Sequence, residues 1–132
     1  MDRSLQAIVS RRASNKFEYC QYPLPPFLIE HIIARKHGGK TTEGNLALAC
    51  IRCNFHKGPN LTGIDPQSGV VVRLFHPRRD RWKEHFRWRG AILIGATAVG
   101  RTTIEVLQIN CEIRVQVRRR LTQSGLSGPS PR

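Results

Sequence analysis

The run IEHIIARKHGGKTTEGNLALACIRCNFHKG, residues 29–58, decides the fold. It is entered through FLIEHII (27–33), an apolar, β-branched run of strand length interrupted by two polar residues side by side, Glu30 and His31. Adjacent positions on a strand point to opposite faces, so both approach one site only where the strand ends or bends. HGGKTTEGN is then a glycine-rich turn and LALAC a second short strand. IRCNFHK reads as a helix halted by Gly58 and Pro59. The local order is strand, turn, strand, helix.

Working outward, residues 3–14 place Leu5, Ile8 and Val9 at helical spacing with Arg11 and Arg12 on another face, which predicts a short amphipathic entry helix. YPLPP (22–26) breaks any regular element. Downstream, DPQSG is turn chemistry and VVVRLF a strand beginning a hairpin-like element. RRDRWKEHFRW is basic and aromatic, and AILIGAT is a further strand candidate. GRTTIEVLQINCEIRVQVRRRL predicts one or two helices capped near Thr102 or Thr103, although Ile113, Val115 and Val117 alternate as a strand would. The final TQSGLSGPSPR has little to bury and is expected to be disordered. The expected architecture is a small α+β fold in one domain over 1–121, with a finger core at about 17–60, an extension at about 61–121 and a tail over 122–132.

Charge is the loudest global signal. With 22 Lys and Arg against 9 Asp and Glu the formal charge is +13, and such a chain associates with polyanions by releasing their counterions. Composition alone does not separate a nuclease from a basic binder. No apolar run reaches the ~18 residues of a membrane span, and the N-terminus is no secretory signal, so a cytoplasmic setting without membrane association is expected. In that setting four cysteines, two of them spaced as Cys50-x-x-Cys53, read as metal ligands rather than bridges. The only upstream cysteine is Cys20; three positions before it, where a second pair would be completed, stands Phe17.

The ordered set Glu30-His31, His37-Gly38-Gly39, Asn45-Leu46, Cys50, Cys53, Asn54 and Lys57-Gly58 resembles the HNH endonuclease family, whose fold is a ββα-metal finger. Similarity continues through GPNLTGIDP, LFHPRRDRW, HFRW and GRTT, as in bacterial HNH proteins with a C-terminal extension. The resemblance implies hydrolysis of DNA phosphodiester bonds to a 5′-phosphate and a 3′-hydroxyl. His31 would be the general base that activates water, a role suited to a group titrating near ~6.5. Glu30 and Asn54 would hold one Mg²⁺ or Mn²⁺, since such ions take oxygen ligands. Asn45 would brace the loop and help orient His31. Lys57 would contact phosphate, with His56, His37, Arg35 and Arg52 as further nucleic-acid contacts.

Each assignment has a plainer counterpart. A lone strand histidine is usually structural, Glu30 can pair with an arginine at the surface, and Asn54 can end a helix. Trp82, Phe86 and Trp88 read more readily as core than as base-stacking platforms, while some arginines near them contact phosphate. His76 and His85 are assigned no role. The alanine at position 34 stands where the family often has proline, and Phe17 departs from the two Cys-x-x-Cys pairs by which many relatives hold a structural zinc. Zinc is therefore held by Cys20, Cys50 and Cys53 plus water or a neighbour at reduced affinity, or the site is empty with Phe17 filling space, or Cys111 supplies the fourth thiolate. The missing ligand favours an empty or weakly filled site. The rival function is a basic nucleic-acid-binding module that does not cut, built on a degenerate zinc knuckle. A structural nucleic-acid-associated protein with no site is a weaker third.

Overall fold

The strand β2 (Leu46–Ala49) is buried at all four positions, as a continuous apolar run requires. The computed structural model describes residues 1–14, 16–22 and 27–123. In it β2 pairs antiparallel with β1 (Leu28–His31), setting Glu30 opposite Ala47 and His31 opposite Leu46. Helix α1 (Arg3–Arg12) is capped by Asp2, whose side chain accepts from Ser4 N at 2.7 Å. It buries Val9 completely and lies on β2, where Arg12 donates to the Leu46 carbonyl. The segment 16–22 is pinned to the same strand: Glu18 N donates to Leu48 O at 2.8 Å, and Leu48 N donates to the Glu18 carboxylate at 2.7 Å. This places Phe17, Tyr19, Cys20 and Tyr22 in the core. Helix α2 (Ile51–Lys57) starts at Cys50, whose sulfur accepts from Cys53 N, and packs on β1.

The rest of the chain builds two more antiparallel pairs held by one helix. β3 (Thr62–Ile64) pairs with β4 (Val71–Arg73), and β5 (Phe86–Arg89) with β6 (Ile92–Gly95). A single-turn helix α3 (Trp82–His85) leads into β5, and α4 (Ala98–Val106) packs on both hairpins. Gly63 permits that approach, since a Cβ there would lie 2.3 Å from Val106 Cγ2. Helix α5 (Glu112–Gln123) returns toward the finger. Asn110 clamps Leu93 through both its amide and carbonyl, and Arg118 donates to Ala91 O at 2.8 Å with its guanidinium over the Tyr22 and Trp88 rings.

The α+β class and every element of the finger fall where the pattern puts them, and three details differ. VVVRLF is the second arm of its hairpin, because TGI, too short and glycine-broken to signal by alternation, forms the first. The cap of α4 is Thr97, whose hydroxyl accepts from Gly100 N at 3.1 Å, while Thr102 and Thr103 are buried helix interior. Thr103 accepts from Phe75 N at 2.9 Å and donates to Val99 O, so a polar residue that looks like a cap serves as an internal tie. The helices expected over 100–121 are present as α4 and α5, and the alternation at 113–117 falls within α5, with Val115 buried and Ile113 and Val117 exposed. Residues 122 and 123 of the expected tail belong to α5; the rest of it, residues 124–132, and 23–26 of the YPLPP stretch lie outside the described residues.

Asp65 anchors the β3–β4 turn. Fully buried, it accepts from Gln67 N and the Ser68 hydroxyl and takes two bonds from Arg101, at 3.0 and 2.9 Å. The Arg101 pairing above all holds its carboxyl well below the usual carboxylate range. A depressed folded-state value contributes stability that is present above the unfolded pKa and lost as pH falls through the folded one. Asp65→Asn is therefore expected to lower the thermal midpoint at pH 7, with the gap to wild type narrowing below about pH 4. A gap that stays constant down to pH 3 in calorimetry would show that the ionised pair contributes nothing.

Candidate functional site

β1 ends at His31, and Glu30 and His31 leave it on opposite faces. His31 is half-buried, with Nε2 at 2.8 Å from the Thr41 hydroxyl. Burial first, and Arg35 second, hold its pKa below the ordinary imidazole value, so the ring is neutral at pH 7 and able to accept a proton. The loop after it is closed by Asn45, 8% exposed, whose Oδ1 accepts from Ile33 N and whose Nδ2 donates to Ile33 O and Lys40 O, each at 2.9 Å. Glycine is required at 39, because a Cβ there would lie 1.7 Å from the Ile33 carbonyl oxygen.

On the other face Glu30 is 6% exposed, and the Lys57 ammonium, 2% exposed, stands 3.3 Å from its Oε2. The same ammonium donates to Ile32 O at 2.7 Å and reaches His31 O at 3.5 Å. Burial pushes the Glu30 carboxyl up to about 7, with Lys57 pulling the other way. Its Oε1 is buried without a hydrogen bond among the described residues, and so is the Tyr19 hydroxyl. That hydroxyl faces the Glu30 carboxylate closely enough to interact with it, though short of hydrogen-bond geometry; burial, then the Glu30 charge, raises the phenol well above its ordinary pKa.

Asn54 lies one turn before Lys57 on α2 and so on the same face. It is half-buried, and its side chain makes no hydrogen bond among the described residues. A hard divalent cation takes carboxylate and amide oxygens. The orphaned Oε1 of Glu30 and the uncommitted Asn54 amide fit that requirement.

The three sulfurs of Cys20, Cys50 and Cys53 lie within 4.8 Å of one another, Cys20 Sγ and Cys50 Sγ being 3.9 Å apart. Hydrogen bonds from Cys20 first, and from Cys53, pull the Cys50 thiol down. Soft thiolates at this spacing suit a metal such as zinc. Phe17 packs into the core at 3% exposure and offers no donor, and Cys111 stands outside the group.

The remaining expected contacts divide. Arg35 and His37 are exposed on a 3₁₀ turn (Arg35–His37) just past β1, and Arg52 is exposed on the first turn of α2. His56 is half-buried with its ring edge-on to Phe55. Lys57, expected on phosphate, is directed inward, because Glu30 and two strand-end carbonyls claim its ammonium. Trp82 and Trp88 pack against the core and Phe86 is inside it, with Trp82 Nε1 donating to Tyr19 O at 2.8 Å. His76 accepts from Arg78 N, and His85 lies 2.6 Å from the Thr97 hydroxyl.

Residues 18–60 match the family model HNH endonuclease. The segment belongs to that family. The match takes in all three clustered cysteines, His31, Asn45 and Lys57, and it supports a nuclease-type function for the HNH segment. No curated protein and no solved structure matches the chain. No described helix is long and apolar enough to cross a membrane. Thr41 and Tyr19 were not legible as partners of the HNH pair Glu30-His31: one is a turn threonine among several polar residues, the other a core aromatic beside Cys20.

Removing one partner of a buried ion pair strands the other charge. Lys57→Met is expected to cost about 3 kcal/mol in urea unfolding, and adding Glu30→Gln to recover part of that loss. A double variant no more stable than the single would show that the pair is not what holds α2 to β1.

Proposed function

We propose that the HNH segment hydrolyses DNA phosphodiester bonds with a divalent cation, His31 being the general base and Glu30 and Asn54 the residues that hold the ion. The observation that carries this is the setting of His31: an imidazole at a strand end, its pKa held below the ordinary value, with Nε2 2.8 Å from the Thr41 hydroxyl and a ring able to accept a proton. Water loses a proton to His31 and attacks phosphorus in line; the bond to the 3′ oxygen breaks, and that oxygen takes a proton from solvent water, leaving a 3′-hydroxyl and a 5′-phosphate. A Mg²⁺ or Mn²⁺ bound at Glu30 and Asn54 would neutralise charge on the phosphate. Asn45 fixes the loop that carries Thr41, and so positions the ring without touching substrate. Exposed Arg35, His37 and Arg52 are the nearby cationic or hydrogen-bonding groups free to meet backbone phosphates, contacts that position a duplex without reading its sequence.

A second reading, DNA binding without cleavage, is favoured by one observation: Lys57 already neutralises Glu30. A plasmid assay separates the two. Wild type is expected to convert supercoiled DNA to open circles in Mg²⁺ or Mn²⁺, His31→Ala to lose about 10²-fold or more in rate, and both to shift DNA equally in gels. Thr41→Val is expected to slow nicking by a smaller factor. Binding without nicking by wild type would establish the non-cleaving reading; equal nicking by His31→Ala would remove His31 as the base.

A further inference from the structure

Arg114 is a buried cation without a carboxylate. It lies on α5, 7% exposed, and forms no ion pair with Asp or Glu among the described residues. Nη1 donates to Leu107 O at 2.8 Å and Gln108 O at 3.3 Å, while Nη2 donates to Cys53 Sγ at 3.1 Å and Cys50 Sγ at 3.5 Å. Taking a guanidinium out of water without a counter-charge costs several kcal/mol, and among the described residues the groups in contact with it that can carry negative charge are thiols. One pair of sulfurs already has the spacing a metal would impose: bonds of ~2.3 Å in a tetrahedral zinc site set sulfurs roughly 3.8 Å apart, Cys20 Sγ and Cys50 Sγ are separated by 3.9 Å, and all three lie within 4.8 Å. Cys53 N donates to Cys50 Sγ at 3.2 Å, adding a second N–H directed at the same sulfur.

We propose that Arg114 is the outer-sphere counter-ion of a three-thiolate divalent metal site formed by Cys20, Cys50 and Cys53. Three thiolates around a dication carry one net negative charge, and one guanidinium cancels it; four thiolates would leave two. With phenylalanine at 17, a groove of about 180 Å³ lined by Phe17, Cys20, Cys50 and Arg114 among others reaches two of the three sulfurs, and water from it would complete the sphere. Arg114 lies beyond the matched segment, so the metal fastens α5 to the finger as well as closing the finger itself. Metal affinity and docking of α5 are then linked, each strengthening the other. This assignment stands whether or not the HNH segment cleaves DNA.

The test uses the full chain, stripped of metal and titrated with Co²⁺, followed by the near-ultraviolet thiolate-to-cobalt band and checked by zinc content as purified. Wild type is expected to take one equivalent, and Arg114→Met to bind about 10-fold or more weakly. Equal affinity in the two proteins overturns the role of Arg114, and failure of wild type to take up cobalt or zinc overturns the site. Should Arg114→Met not fold, amide exchange in wild type decides: exchange across residues 112–123 is expected to speed on stripping and slow when cobalt is returned. Exchange there that is indifferent to metal overturns the linkage.

Discussion

The Lys57 ammonium is the constraint on which the finger depends. It joins the last turn of α2 to the end of β1 by meeting the carbonyls of His31, the last residue of the strand, and Ile32, the first beyond it. On the far side of the same strand end, Asn45 supplies bonds to Ile33, and its own carbonyl accepts from Ile32 N at 2.8 Å. His31 thus leaves a strand end fixed by two side chains rather than by a third strand, open on the side that faces Thr41. Burying two charges would be costly were they not paired and further hydrogen-bonded. Lys57 engages Oε2 of Glu30 and so keeps the helix in place, while Oε1 is buried without a hydrogen bond among the described residues.

What could be read from the sequence follows from which signals are local. Strand, turn, strand and helix over 27–57 are set by apolar pattern, Gly-Gly and a Cys cap, all of which act within a few residues, and they fall where expected. The Asn45 side chain's bonds to the loop are short-range in the same sense, spanning 12 residues or fewer. The inward turn of Lys57 could not be read, because at the end of an amphipathic helix a lysine is ordinarily solvated, and only the tertiary position of β1 gives it acceptors. Arg114 is a sharper case. In EIRVQVRRR it is one arginine of four, and nothing in that run distinguishes the one that lies against Cys53, 61 residues upstream.

The excess of arginine also means something different once placed. Arg73, Arg78 and Arg101 are paired with Asp80, Glu18 and Asp65, and Arg12, Arg114 and Arg118 are spent on backbone carbonyls or sulfur. Net charge still governs long-range attraction to a polyanion, since the carboxylates are already counted in it. Contact is another matter: a guanidinium held inside the protein cannot close on a phosphate. The basic character of residues 78–89 therefore serves the joint between extension and finger as much as any surface, with Arg78 on Glu18 bringing the extension against the segment that carries Cys20.

That joint alters what the cysteine clip contributes. The arm bearing Cys20 is tied to β2 by both main-chain and side-chain bonds between Glu18 and Leu48, and it is packed by Phe17 and Tyr19. Cys50 and Cys53 are set by the first turn of α2. All three sulfurs are consequently brought together by bonds that involve no metal, and a fourth cysteine at 17 would exchange buried aromatic packing for one more thiolate. An ion at the clip would therefore add to a finger whose parts these bonds already position. It would act as well on α5, where Arg114 is the buried cation that faces the sulfurs.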